Sequence, residues 1–365
     1  MVHAPMVRAL GGTTAPAVLT VDLAAIAGNW RSLHRPGGPD VAAVVKADGY
    51  GLGARAVAEA LYAAGCRHFF VAWLDEALAI RDVLPNAFLA VLGGLIPGSE
   101  AEFSAHGITP VLGSLDEVDR WRRLGNAPPV LHVDTGMSRL GLDARELAIL
   151  AQDHARIGWP PRYVMSHFVA SEVPADPLNA AQRARFEAAR ALLPAAPASL
   201  ANSSGIFLGP EYGFDLVRPG AALYGINPTP GEPNPMRPAV RLSVRVLAVR
   251  DIEAGETVGY NATWTAARPS RIATAALGYA DGFLRALSGK VRADFDGSPV
   301  PLVGRVSMDL TTFDVTDHPA IRPGDWLEVM GPSCTADHLA AAAGTNGYEI
   351  LTSLGRRFQR VYLPA

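Results

Sequence analysis

The stretch VAAVVKADGYGLG (residues 41–53) begins with five apolar residues, closes that run on a lysine and continues through three glycines. A run apolar at every position suits a strand buried on both faces, as in a parallel sheet covered by helices. The glycines lack the GxGxxG spacing that follows the first strand of a dinucleotide-binding fold. The stretch therefore argues for a parallel α/β barrel over an open doubly wound sheet. It also singles out Lys46. The chain holds 32 Lys plus Arg, and only Lys46 and Lys290 are lysines.

Working outward, seven more runs of the same kind follow: HFFVAW (68–73), AFLAVLG (87–93), ITPVLGS (108–114), PVLHVDTG (129–136), RYVMSHF (162–168), ASLANSS (198–204) and DLVRPGAALYG (215–225). Segments of helical period lie between them. ARAVAEALYAAG, LDEALAIRDVLP and SLDEVDRWRRLG each stop at Gly or Pro, and LNAAQRARFEAARALLP is strongly amphipathic. Eight strand–helix units predict a (β/α)8, TIM-like barrel over residues 15–238.

The pattern changes at GINPTPGEPNPMRPAV (225–240), whose five prolines exclude a helix or a central strand. Beyond it, RLSVRVLAV, RIATAALGY, VRADFDG, PVPLVG, TTFDVTD and DWLEVMG read as short turn-bounded strands. They predict a smaller, mostly β C-terminal domain over 239–365. AVLTVDL (17–23) reads as a strand that pairs with that domain, and residues 1–14 as a loose leader.

Apolar residues make up 49% of the chain and charged residues 18%, enough for a packed core. The net charge of −3, with no basic block, argues against nucleic acid or an anionic membrane surface as partner. No apolar stretch reaches the length of a membrane span, and the N-terminus lacks the pattern of a secretory signal. Cys66 and Cys334 are too few and too far apart for a disulfide framework or a zinc site. The expectation is a soluble cytoplasmic protein.

Barrel active sites gather where strands end. There the sequence sets Lys46, His132, Asp134, Arg139, His167, Asn202 and Ser203, while Arg218 opens the eighth run. Cations and hydroxyls dominate, no metal ligand cluster is present, and an anionic ligand such as a phosphate fits. A lysine amine can lose its proton and form a Schiff base, which a guanidinium cannot. That chemistry suggests pyridoxal phosphate. Arg218 sits in an apolar run and needs a partner, either an ion pair or a ring nitrogen or phosphate. Gly220 would let backbone N–H groups approach an anion. Ser203 suits a phosphate contact or an N-cap equally. Tyr279, in LGYADGFLR, and Met308 with Asp309, in GRVSMDL, stand at turns, which alone would explain them.

Taken together, AVVKADGYGLG, HVDTGMSRLG, MSHF, ANSSG, DLVRPGAALYG, LGYADGFLR and GRVSMDL resemble the motifs of the alanine racemase family, in the family's order and from about residue 15 to the end. This family is pyridoxal-phosphate-dependent, of fold type III. The resemblance implies a head-to-tail homodimer whose active sites join one subunit's barrel to the other's C-terminal domain. It implies that Lys46 carries the cofactor covalently. Tyr50, Asn202, Ser203 and the backbone near Gly220 would contact the cofactor, chiefly its phosphate. Arg218 would face the pyridine nitrogen, braced by His167. Arg139 would support the substrate region, with Met308 and Asp309 contributed by the partner. The substrate would be alanine, interconverted between L and D forms for peptidoglycan or for alanine catabolism.

Racemisation needs a base on each face of a planar carbanion, and the resemblance implies that Lys46 with Tyr279 from the other subunit supplies the pair. A lysine amine and a tyrosine phenolate serve where neighbouring cations favour the basic forms. An arginine at the ring nitrogen weakens the electron sink and favours prompt return of the proton. Two positions depart from the family. His132 stands where many members carry a lysine, often carbamylated, that orients the arginine matching Arg139; another acceptor or a bound anion must replace it. Arg356, in TSLGRRFQR, stands where many have a tyrosine at the site entrance. Other readings are a cofactor carrier, which would be a barrel alone, a fold-type III decarboxylase, which would carry a carboxylate at the ring nitrogen, and a racemase of broader specificity.

Overall fold

The computed structural model describes residues 14–365, so most of the leader expected over 1–14 lies outside the described residues. The chain divides into two compact units, one of Ile26–Arg237 and one joining the residues up to Ala25 with Pro238–Ala365.

In the first unit, strands Ala43–Val44, His68–Val71, Phe88–Val91, Thr109–Leu112, Val130–His132, Tyr163–Met165 and Ala198–Ser199 form one parallel sheet in chain order. The eighth run closes it. Leu216–Val217 pairs in parallel with Asp40–Val41, just before the first strand. On its other side, Asp215 N donates to Ala198 O at 3.0 Å and Arg218 N to Ala201 O at 2.9 Å. Every run thus contributes a strand to a closed barrel.

Its interior is filled by Val44, Phe70, Ala90, Val111, Val130 and Met165, among others. Their neighbours Val45, Phe69, Leu89, Leu112, Leu131 and Val164 are equally buried. Both faces are covered, which is why the runs are apolar throughout.

The helices depart from the expected eight. Ala54–Ala63, Leu74–Ile80, Glu100–Ala105, Leu115–Leu124, Ala144–Gln152 and Pro177–Ala191 follow the first six strands. After the seventh and eighth come only 3-10 turns, at Gly205–Phe207, Pro210–Tyr212 and Ala221–Tyr224. Gly209, Pro210 and Pro219 interrupt any longer helix there. DLVRPGAALYG is correspondingly a two-residue strand followed by a turn, so Arg218 ends a strand instead of opening one. Helix Leu23–Ser32, which the sequence reading did not anticipate, packs beside this gap. Asn29 Nδ2 donates to Leu223 O at 3.1 Å, and Trp30 Nε1 to Val41 O at 3.0 Å.

The second unit centres on an eight-stranded sheet. Its long strand Val240–Ile252 runs antiparallel to Ala17–Asp22, which also pairs in parallel with Gln359–Leu363. The unit is not all β. Helices Ala336–Ala343 and Gly347–Ser353 start at Thr335 and Asn346, whose side chains accept from backbone N–H groups three residues on.

Candidate active site

The first strand ends in an uncommon backbone. Ala47, Asp48, Gly49, Tyr50 and Gly51 all have positive φ, from 54° to 82°, so the residues after Lys46 form a left-handed helical turn. For a residue bearing a Cβ this costs roughly 1–2 kcal/mol. Such strain persists only where surroundings hold it. Three contacts do so. The Glu76 carboxylate accepts from Ala47 N at 2.7 Å. Asp48 Oδ1 accepts from Ala54 N at 2.8 Å, starting the next helix. Tyr50 stacks on Tyr224 with ring centroids 4.6 Å apart, and Tyr224 Oη donates to Val44 O.

Arg218 is 4% exposed. It donates to Ser199 Oγ, to Ser166 O at 2.6 Å and to His167 Nδ1 at 3.5 Å. These acceptors are neutral, and among the described residues no carboxylate pairs with it. Burial pushes its guanidinium down to about 9, so it remains a cation at neutral pH. Burial, and then the Arg218 charge, pushes His167 down to about 3 and His132 to about 4; both rings are neutral. Lys46 is held below the usual lysine range by burial and by Arg139, against the pull of Glu76.

Ser203 Oγ accepts from Gly220 N at 3.0 Å and Ala222 N at 3.2 Å, gathering two backbone donors at the start of the Ala221–Tyr224 turn. A Cβ on Gly220 would overlap the Tyr50 hydroxyl, so glycine lets that hydroxyl approach the turn closely. Asn202 Oδ1 is engaged in its own loop, accepting from Ser171 Oγ and Gly205 N, each at 2.9 Å. Asp134 accepts from Gly136, Met137 and Ser138 N and shapes the loop that carries Arg139. Arg139 is exposed and makes no hydrogen bond or ion pair among the described residues.

Tyr279, Met308 and Asp309 belong to the second unit. Two hydrogen bonds tie their turns together, Tyr279 N to Ser307 O and Ala280 N to Met308 O, each 3.0 Å. Arg357, which the sequence reading passed over, donates to Asp281 Oδ1 at 2.6 Å and Asp309 Oδ1 at 2.7 Å. Tyr279 is 42% and Met308 55% exposed. Arg356 is exposed, with no hydrogen bond or ion pair among the described residues. Among those residues, no group of three or more His, Cys, Asp or Glu is placed to hold a metal ion, and no helix is long and apolar enough to cross a membrane.

A parallel barrel with a cation-lined mouth, a lysine of lowered basicity and a separate β unit defines a class of lysine-centred barrel enzymes. The sequence profile of the alanine racemase N-terminal domain matches residues 21–228 and that of the C-terminal domain residues 239–362. Alanine racemase of Acidiphilium cryptum is 56% identical over 348 residues, 94% of this chain and 98% of the relative. A Mesorhizobium japonicum relative at 49%, covering 96% and 94%, is named a catabolic alanine racemase. One from Agrobacterium fabrum at 44%, covering 96% and 95%, is named biosynthetic. The crystal structure of alanine racemase from Bartonella henselae with covalently bound pyridoxal phosphate superimposes with a TM-score of 0.91 at 42% identity, covering 96% of this chain and all of that one. This chain belongs to the alanine racemase family, whose members are isomerases.

Proposed function

We propose that this chain interconverts L- and D-alanine with pyridoxal phosphate, by proton exchange on both faces of Cα. The observation that carries the reading is Arg218, a buried guanidinium whose partners are all neutral, in the same barrel as a lysine whose amine is shifted toward its basic form. A neutral aromatic nitrogen can take the place of one more such acceptor. The Ser203 hydroxyl, held in place by Gly220 N and Ala222 N, and the Tyr50 hydroxyl against Gly220 suit a phosphate. The residues present therefore fit the cofactor.

Pyridoxal phosphate, when bound, supplies an electron sink for the pair left on Cα as its proton departs. Lys46 Nζ would hold the cofactor at rest and, once displaced by the substrate amine, would exchange the Cα proton on one face. The partner's Tyr279 exchanges it through Oη on the other. Arg218, braced by His167, keeps its own proton and so gives none to the ring nitrogen. Arg139 attracts the substrate carboxylate, and the partner's Met308 and Asp309 bound the space around the methyl group.

The working unit is then a homodimer with shared sites. Two exposed surfaces support this. Trp73, Ile96, Leu140 and Val169 follow strand ends at the barrel mouth, and Tyr279 with Met308 leaves large side chains uncovered on the other unit. Large apolar side chains left uncovered on both units are what a shared site would bury. The D-alanine would serve peptidoglycan or alanine catabolism.

Incubation of the protein with pyridoxal phosphate and L-alanine in D2O tests the reading. D-alanine bearing α-deuterium is expected. Cofactor binding without exchange at Cα of alanine or other small amino acids would overturn it in favour of a carrier.

A further inference from the structure

Glu76 occupies the third position of helix Leu74–Ile80, where a carboxylate ordinarily caps its own helix. Its Oε2 does so, accepting from Ala72 N at 2.7 Å and Trp73 N at 3.2 Å. Its Oε1 turns away and accepts from Ala47 N, 29 residues earlier and next to Lys46.

The same device recurs twice around the barrel. Glu117, third in Leu115–Leu124, accepts from Gly113 N at 2.6 Å and reaches back to Leu95 N at 2.8 Å. Glu146, third in Ala144–Gln152, accepts from Asp143 N at 3.1 Å and reaches back to Leu115 N at 2.9 Å. Each glutamate stitches its helix start to the preceding strand–helix loop. The Glu117 clasp joins loops that carry none of the candidate site residues, whereas the Glu146 clasp starts in the loop of Arg139. The first lands on the left-handed turn.

We infer that Glu76 is a positioning residue for the reaction: through Ala47 N it fixes the turn that aims Lys46, while Glu117 makes the equivalent clasp for stability alone. Three N–H groups share its two oxygens, so neither oxygen is spare. Replacement by Gln puts an amide N–H against a backbone donor. Replacement by Asp keeps a cap for Trp73 N but shortens the reach to Ala47. The carboxylate is also the anion acting on the Lys46 amine, opposed by Arg139.

The inference rests on Lys46 carrying the cofactor. The test uses the holoenzyme and the variants Glu76→Gln, Glu76→Asp and Glu117→Gln. It reads alanine kcat and KM, visible circular dichroism of the bound cofactor, and Tm. Glu76→Gln and Glu76→Asp should each lower kcat about tenfold or more with little change in KM, and should weaken the dichroic band. Glu117→Gln should lower Tm as much as Glu76→Gln does and leave kcat and the band within twofold. Glu76→Asp should keep most of the Tm. Equal kcat in the Gln variants at positions 76 and 117, with an unchanged band, would reduce Glu76 to a helix cap and overturn the inference. A Lys46→Ala protein that still shows the covalent cofactor absorbance would instead overturn the reading beneath it.

Discussion

Gly220 has no side chain, and the hydroxyl of Tyr50 occupies the place a Cβ would take. The two residues come from the first and last strand–loop junctions of the barrel, so their approach joins those junctions at the proposed phosphate site. Gly220→Ala should push Tyr50 off Tyr224 and disturb the donors at Gly220 and Ala222. Pyridoxal phosphate affinity, measured by equilibrium dialysis, should fall about tenfold or more, equivalent to the roughly 1–3 kcal/mol of a disrupted buried hydrogen-bonding group. Unchanged affinity would move the phosphate elsewhere.

Arg357 holds Asp281 and Asp309 on two different turns, one carrying Tyr279 and the other Met308. Arg357→Ala should free the turns from each other. Alanine kcat should fall about tenfold, as expected when a reacting group is displaced by a fraction of an ångström. Arg356→Ala, one residue away and without a hydrogen bond or ion pair among the described residues, should leave kcat within twofold. Steady-state assays of both variants separate the two arginines.

Acid stability should be set partly by His132 and His167. Folded, they protonate only near about 4 and about 3. Unfolded, each takes a proton near about 6.5. The unfolded chain therefore binds more protons below that pH. Their contribution is fully present above about pH 6.5 and is lost as pH falls toward about 4, by up to about 1.4 kcal/mol per pH unit for each ring. Denaturant melts at pH 7 and 5 should show the loss. His132→Asn should flatten the dependence, and an unaltered slope would mean that the ring is charged in the folded chain.

Replacing Arg218 tests the ring-nitrogen argument. Arg218→Glu sets a carboxylate opposite the Ser166 carbonyl and removes the cation. Racemisation should drop by at least about a hundredfold. Transamination of alanine to pyruvate, followed with a coupled dehydrogenase, should rise relative to it. An unchanged ratio of the two reactions would separate Arg218 from reaction specificity.

The barrel was legible because its strands are buried on both faces, which leaves eight apolar runs in the sequence. The last two helices were misjudged because ANSSG and VRPG look like strand ends preceding helices, while Gly209, Pro210 and Pro219 permit only 3-10 turns. The two helices of the second unit are short; Thr335 and Asn346 were their cap signals, hidden in a stretch otherwise reading as turns. Lys46 and Arg218 stood out by residue type against their apolar runs. Glu76 did not, because in LDEA it reads as an ordinary first-turn acid, and its contact with Ala47 exists only once two loops are folded side by side. Arg357 was passed over because nothing in GRRF marks an arginine that meets Asp281, a contact that joins residues far apart in sequence.

The sheet of the second unit also fixes an order of events during synthesis. Ala17–Asp22 lies between Val240–Ile252 and Gln359–Leu363. Val18 leaves the ribosome 341 residues before its partner Gln359, the difference of their two positions. At about 5–20 residues per second that is a wait of roughly 20–70 s. The barrel, whose strands pair with sequence neighbours, can assemble during the interval. The strand made first completes its pairing on both sides only after the barrel and most of its own sheet have been translated.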